Sequence, residues 1–264
     1  MESISSRENQ KIKDILHLMA SRQARRESGR FAFEGLRLAM DALDAGIPIE
    51  RLFLTEQAMR RHPEACLRLQ GVAEASFAVS EALCRKISDT ETPQGVFCQC
   101  PLPDGRLTLS DKGGYLLLAS LQDPGNVGAV IRSANAFGLD VFLSADCPDL
   151  FSPKVIRASM GGVFRAAARV IPSMETLIDE LRGLGVPVYA AALSAQSVSV
   201  LSVPLHRAAV MIGNEGGGIP SELAALCDGS VMIPIRGGCE SLNAAVAAGI
   251  FAWEMRGRAG FDNA

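Results

Sequence analysis

The sequence predicts an α/β protein: a small N-terminal α/β domain, then a larger domain with a mostly parallel sheet flanked by helices. Three observations carry this. Short apolar runs alternate with helix-length amphipathic stretches along the chain, the pattern of strand–helix–strand units. Tyr115 to Ser120 and Ala208 to Ile212 are nearly continuous apolar runs, as in parallel strands buried on both faces. Pro101 to Gly105, continuing to Gly113 and Gly114, is punctuated by proline and glycine without periodicity, which marks a linker. The expected domains are residues 1–100 and 113–264, joined by 101–112.

Residues 7–20 form a predicted helix, with Ile12, Ile15, Leu16 and Met19 at helical spacing. A basic segment, 22–30, follows. Glu34 to Ala45 is a helix closed by Gly46, and Ile49 to Leu54 a strand. Glu56 to Leu69 reads as a helix weakened by Pro63, which removes a backbone donor. Phe77 to Val79, a helix from Ser80 to Ile87, and a strand from Gly95 to Cys100 complete the first domain. In the second, Asp123 to Asn126 is a turn before a helix from Val127 to Phe137, and Leu139 to Leu143 a strand. Ser152 and Pro153 open a helix to Met160, with proline in its first turn. Val163 to Ala167 reads as a short strand, Met174 to Leu184 as a helix, and Val186 to Ala191 as a strand. After the strand ending at Ile212 come a glycine-rich break, a short helix from Ser221 to Leu226, an apolar run from Val231 to Ile235, and a break at Arg236, Gly237 and Gly238. An apolar helix then reaches Met255.

Composition narrows the function classes. With 264 residues and 48% hydrophobic content the chain has ample core, and its net charge of −3 does not advertise nucleic-acid binding. Charge is locally uneven. Arg7, Lys11, Lys13, Arg22, Arg25, Arg26, Arg30 and Arg37 are opposed only by Glu8, Asp14, Glu27 and Glu34. Such a stripe is either a phosphate-facing surface or a solvated helix face. Seven cysteines without a CxxC pair and three scattered histidines argue against a metal site. The odd cysteine count and the lack of a signal peptide point to the reducing cytoplasm. Cys98 and Cys100 share one strand face and read as buried free thiols. No apolar run approaches the roughly 20 residues that span a bilayer. GxGxxG after the first strand, GxxxxGK[ST] and GxSxG are absent, which argues against a dinucleotide site, a P-loop and a serine nucleophile elbow.

Four loops follow apolar strands, at 121–126, 193–199, 213–218 and 236–241. In a parallel sheet they gather at one edge, where ligands of open α/β sheets bind. They and the helix after the first supply Asn126, Arg132, Asn214, Glu215, Ser241 and Asn243. Arg132 lies in an otherwise apolar helix and needs either a salt-bridge partner or a polar cleft. Ser241 reads equally as the N-cap of the last helix or as a site residue. The glycines at 216–218 permit positive φ and close approach of a ligand to backbone.

The segments Asp123 to Gly138 (DPGNVGAVIRSANAFG), Gly213 to Pro220 (GNEGGGIP), and Ile233-Pro-Ile with Glu240 to Ile250 (ESLNAAVAAGI) resemble the three ordered motifs of the SpoU/TrmH family of RNA ribose 2′-O-methyltransferases, within the SPOUT superfamily. Pro153 to Gly161 (PKVIRASMG) is also family-like. Phe31 to Arg37 (FAFEGLR) through Thr92 to Gly95 (TPQG) resembles the RNA-substrate-binding domain that precedes it. The resemblance implies S-adenosylmethionine held in a deep trefoil knot and a homodimer; cysteine and histidine spacing and hydropathy already argue for no metal and no membrane. It implies cofactor contacts around Gly213, Ile233 and Leu242, and catalytic or substrate-orienting roles for Asn126, Arg132, Glu215, Ser241 and Asn243. A guanidinium scarcely deprotonates in proteins, so Arg132 reads as a phosphate clamp and alkoxide stabiliser rather than a base. Slim residues Ala244, Ala245, Ala247, Ala248 and Gly249, with an apolar stripe of Leu242, Val246, Ile250 and Trp253, suit either a threaded or an ordinary packed last helix. Arg22, Arg25, Arg26 and Arg30 are the candidate RNA contacts. The implied substrate is ribosomal RNA, the 23S species foremost. Transfer RNA, resistance-conferring rRNA methylation and a non-catalytic RNA-binding assembly factor remain alternatives.

Overall fold

The computed structural model describes residues 1–103, 108–165, 167–236 and 241–256. Linker positions 104–107 and residues Gly237, Gly238, Cys239 and Glu240 lie outside the described residues. Met1–Asp104 together with Phe151–Phe164 forms one compact unit, and Gly105–Leu150 with Arg165–Ala264 forms the other.

The first unit begins with β1 (Glu2–Ile4), α1 (Gln10–Ala20), α2 (Arg22–Ser28), β2 (Arg30–Glu34) and α3 (Leu36–Asp44). It continues through β3 (Arg51–Thr55), α4 (Glu56–Arg61), α5 (Pro63–Val72), β4 (Ala75–Val79), α6 (Glu81–Ile87) and β5 (Val96–Pro101). Pro63 does more than weaken one helix. It starts a second, at the N-terminal position where a missing N–H costs nothing. The sheet order is β1-β4-β3-β5-β2, with β1, β4 and β3 parallel and β5 antiparallel to both its neighbours. Ile12, Ile15 and Leu18 of α1 pack on Phe53, Phe77 and Phe97 across the sheet. Phe31 and Phe33 sit in β2, a strand hidden from periodicity because four of its five residues are buried. Phe31 lies 4.8 Å from Phe151 and Phe33 5.2 Å from Phe164, ring centre to ring centre.

The second unit contains β6 (Tyr115–Leu118), α7 (Pro124–Phe137) and β7 (Asp140–Leu143). The chain then visits the first unit as α8 (Pro153–Ala158) and a 3-10 turn at Gly162–Phe164. It returns for β8 (Ala168–Val170), α9 (Met174–Gly183), β9 (Val188–Ala191), β10 (Val198–Ser199), β11 (Ala209–Ile212), α10 (Ser221–Leu226), β12 (Gly229–Met232) and α11 (Ala244–Met255). The strand expected at 163–167 is thus a turn followed by a later strand. Met160 and Gly161 both have positive φ, at 50° and 74°, which bends the chain there.

All neighbours in the sheet β10-β12-β9-β11-β6-β7-β8 are parallel. Tyr115, Leu117, Ala209 and Met211 face a core shared with Leu177, Ile178 and Leu181 of α9. Their strand neighbours Leu116, Leu118, Val210 and Ile212 point to the opposite face and are also buried. Double burial explains why these strands read as continuous apolar runs. On α11 the inward residues are Ala244, Ala248, Phe251, Ala252 and Met255. Val246 and Trp253, expected in its packing stripe, are instead 53% and 51% exposed. Among the described residues no helix is long and apolar enough to cross a membrane. Cys98 and Cys100 are buried in β5, and burial pushes both thiols far above their ordinary range.

Candidate active site

Strands β12, β9, β11 and β6 are adjacent and parallel, so their C-terminal ends share one edge. A cleft of about 640 Å³ opens there, within the range of small-molecule sites, roughly 300–1,000 Å³. Leu193 enters from the β9 loop, Gly213 and Glu215 from the β11 loop, Ile233 from the β12 loop, and Leu242 and Phe251 from the entry and body of α11. Ile233 reaches the cleft because β12 stops at Met232. Pro234 follows it and cannot donate to a sheet ladder.

The β11 loop is a closed ring. Asn214 and Gly218 exchange both backbone hydrogen bonds, each at 2.9 Å. Gly218 turns the chain with φ of 68°. Gly213 is demanded by close approach: a Cβ there would stand 2.2 Å from the Gly218 carbonyl carbon and 2.4 Å from Ile219 N. The amide of Asn214 organises the ring, its Oδ1 accepting from Gly216 N at 2.8 Å and Gly217 N at 3.0 Å.

A polar chain leads away from this ring. Glu215 Oε1 accepts from Asn126 Nδ2 at 2.8 Å, and Oε2 accepts from Gln122 N at 3.3 Å. Asn126 Oδ1 accepts from Asn243 Nδ2 at 3.0 Å. Asn243 Oδ1 in turn accepts from Ala245 N and Val246 N, at 2.9 and 3.2 Å. Asn243 is therefore the N-cap of α11. Ser241 is not the cap; it is an exposed cleft-lining residue two positions earlier. The reason is spacing: a cap must lie next to the first free N–H groups.

Asn126 falls inside a helix rather than in a turn. Asp123 accepts from Gly125 N and caps α7, whose first residue is Pro124. The Glu215 carboxylate thus meets the positive end of α7. Partial burial opposes its ionisation, but the hydrogen bonds from Asn126 and from backbone N–H groups together hold it below the usual carboxylate range. It is an anion at neutral pH, suited to orient neighbours rather than to carry a proton.

Gly213, Glu215, Ile233, Ser241, Leu242 and Asn243, expected at the site, all line this cleft. Asn126 lies behind them, 8% exposed. Arg132 does not line the cleft; it is exposed on α7. Among the described residues it makes no hydrogen bond or ion pair, so no salt bridge among them accounts for it. The expected basic stripe is only partly a free surface. Arg25 is 4% exposed and donates to the carbonyls of Leu18 and Met19, so its guanidinium serves the α1–α2 junction instead of a phosphate. Arg30 pairs with Glu50 at 2.5 Å. Arg22 is half-buried, whereas Arg26 is exposed. The roles of Asn214 and Gln122 were not anticipated. An asparagine ahead of a glycine run is the available signal, since its side chain closes turns onto backbone two residues on.

Comparison with known proteins gives concordant findings. Residues 114–253 match the model of the SpoU rRNA methylase family, and residues 9–98 match the MRM3-like substrate-binding domain. The chain is 34% identical to the 23S rRNA (guanosine(2553)-2′-O)-methyltransferase of Bacillus subtilis (strain 168), over 97% of this chain and 100% of that protein. An AdoMet-bound rRNA methyltransferase from Sinorhizobium meliloti superposes with a TM-score of 0.83 at 31% identity, covering 97% of each chain. The SpoU methyltransferase AviRb from Streptomyces viridochromogenes, in complex with AdoMet, superposes with a TM-score of 0.83 at 26% identity, covering 94% of this chain and 97% of that one.

Proposed function

The chain belongs to the SpoU rRNA methylase family, and from that premise we infer that it transfers a methyl group from S-adenosylmethionine to a ribose 2′-hydroxyl of ribosomal RNA. The observation that carries the reading at residue level is the convergence of Glu215, Asn126 and Asn243 beside an apolar cleft at the ends of adjacent parallel strands. The cleft suits the cofactor: Ile233, Leu242 and Phe251 offer dry walls, and Gly213 brings bare main chain to the edge. When bound, S-adenosylmethionine supplies a methyl group activated on a sulfonium centre.

The protein's own contribution is alignment and charge. Arg132 offers a planar cationic fork of donors. In this reading it holds the phosphate beside the target ribose and stabilises negative charge building on the 2′-oxygen. Glu215 orients Asn126, and Asn126, Ser241 and Asn243 fix the ribose. Gly213, Ile233 and Leu242 hold the cofactor. Residues 9–98 present the RNA, with Arg26 and Arg22 as phosphate contacts, and the reaction takes place in the cytoplasm. We also propose that the C-terminal third threads as a trefoil knot, as the family resemblance implies and the small residues of α11 permit.

Two features favour a homodimer. Helix α11 is apolar nearly all round, as buried helices are, yet Val246 and Trp253 are half exposed. Phe137 of the neighbouring α7 meets Trp253 edge-on at 5.8 Å. A second copy on this face would cover both, and exposed Arg132 would then serve the cleft across the interface. Incubating 23S rRNA with labelled cofactor and mapping methylated riboses tests the activity: a discrete 2′-O-methyl site is expected, and none would refute it. Mixed dimers test the arginine. A protomer carrying Arg132→Ala paired with one carrying Gly213→Ala should recover activity at one of two sites if Arg132 acts across the interface, and none if it acts within its own chain.

A further inference from the structure

We propose that Asn214 is a positioning residue for methyl transfer, acting by tying the β11 loop to a strained turn after β6. This rests on the cleft being the methyltransferase centre, as argued above. The strained turn is Ser120, a non-glycine residue with φ of 57°. Such conformations persist only where surrounding structure over-determines them, and they gather at functional sites.

Three groups over-determine this one. The Ser120 N–H donates to Ser144 Oγ at 2.9 Å. Its carbonyl, turned by the positive φ, accepts from Gln122 Nε2 at 3.0 Å and from Asn214 Nδ2 at 2.8 Å. Ser144 Oγ in turn donates to Asp146 Oδ1. The support therefore starts at the end of β7, passes through the end of β6, and arrives at Asn214.

Asn214 converts that support into a placement of Glu215. Its donor half grips Ser120, and its acceptor half gathers Gly216 N and Gly217 N. Glu215 is the residue between these anchors, and its carboxylate is held out to Asn126 and, through it, to Asn243 at the start of α11. One amide thus sets the register of the β11 loop against β6 and α7 together. Loss of its donor half would free the loop from Ser120 while leaving the glycine ring closed. Loss of both halves would also release Gly216 N and Gly217 N inside the ring, whose backbone pair stays closed.

The two halves can be separated. Asn214→Asp keeps the acceptors for Gly216 and Gly217 but sets a carboxylate oxygen against the Ser120 carbonyl; Asn214→Ala removes both halves. Single-turnover methylation of 23S rRNA and cofactor affinity by calorimetry are measured for each. Both variants should lose about tenfold or more in the methylation rate at saturating cofactor, with cofactor affinity within about threefold of wild type. A wild-type rate in Asn214→Asp would overturn the tie to Ser120, and a rate loss matched by an equal affinity loss would overturn positioning in favour of direct cofactor contact.

A second readout needs no turnover. In the cofactor-free protein, amide exchange at Gly216 and Gly217 should quicken in Asn214→Ala but not in Asn214→Asp. The Asn126 side-chain amide resonances should move in both. Unmoved Asn126 resonances would overturn the proposal. If wild-type protein fails to methylate rRNA while these signals behave as stated, the functional reading fails and the structural tie stands.

Discussion

Helix α2 and the β11 loop each place a charged side chain at a helix end, with opposite sign and opposite availability. Arg25 reaches back to the carbonyls of Leu18 and Met19 in the last turn of α1, the negative end of that helix. Glu215 reaches the N–H of Gln122 and the amide of Asn126 at the start of α7, a positive end. The electrostatics are alike. The difference is that Arg25 is buried, while Glu215 lies at the rim of an open cleft. A charge that satisfies orphan backbone groups in the interior is consumed by the fold. One that does so beside a cavity keeps the cavity in shape and stays within reach of a ligand. A charged side chain at a helix end is common to both, and beyond its sign exposure is what separates them.

The largest blow to the cleft side of this comparison should be Gly213→Ala. Its Cβ would collide with backbone, which cannot swing aside as a side chain can. Overpacking of this kind costs about 1–3 kcal/mol or more, so cofactor affinity by calorimetry should fall about tenfold or beyond. Unchanged affinity would show that the ring closes some other way. On the α2 side, Arg25→Ala should lower stability by about 2 kcal/mol in urea melts, the size of a lost charge-assisted hydrogen bond. It should leave the salt dependence of RNA binding as in wild type; a change there with no loss of stability would erase the contrast. Arg26→Ala should do the reverse, with stability within about 0.5 kcal/mol of wild type and a salt slope smaller by about one.

The smallest expected effects are in pH dependence, where two carboxylates differ in sign. Hydrogen bonds hold Glu215 below the ordinary value of 4.5 against the opposing effect of burial, so its contribution is present above that value and lost as pH falls through the folded pKa. Glu34 is 4% exposed, and desolvation raises its pKa despite bonds from Ser88 Oγ and Gln94 N. Its contribution is present below 4.5 and lost as pH rises through the folded pKa. Glu34→Gln should therefore remove a decline in stability with rising pH, and Glu215→Gln a decline with falling pH. Melts of both variants across the acid range check the pair.

Much of the second unit was legible because its signals are local or repeated. Doubly buried strands announce themselves as apolar runs, and the parallel sheet follows from their alternation with helices. The cleft residues Gly213, Ile233 and Leu242 come from segments that each end a strand or open a helix. Legibility failed where one residue changes the outcome. Cap preference leaves Ser241 open as either the cap of α11 or a site residue, but the cap is Asn243, whose amide also reaches Asn126. In the first unit β2 was hidden, since a strand buried at Phe31, Ala32, Phe33 and Glu34 shows no alternation. Two of its partners, Phe151 and Phe164, come from far along the chain.

Sequence alone determined the α/β class, the punctuation of the second unit and the residues able to build a glycine-lined cleft, because these depend on periodicity and backbone permission over a few neighbours. Only the tertiary structure decided that Arg25 is buried and Arg132 exposed, that 151–164 belongs with the first unit, and that Asn214 meets Ser120 across 94 positions of chain. Charge and hydrogen-bonding capacity belong to a residue, but its solvent exposure and its partner belong to whatever the fold sets beside it.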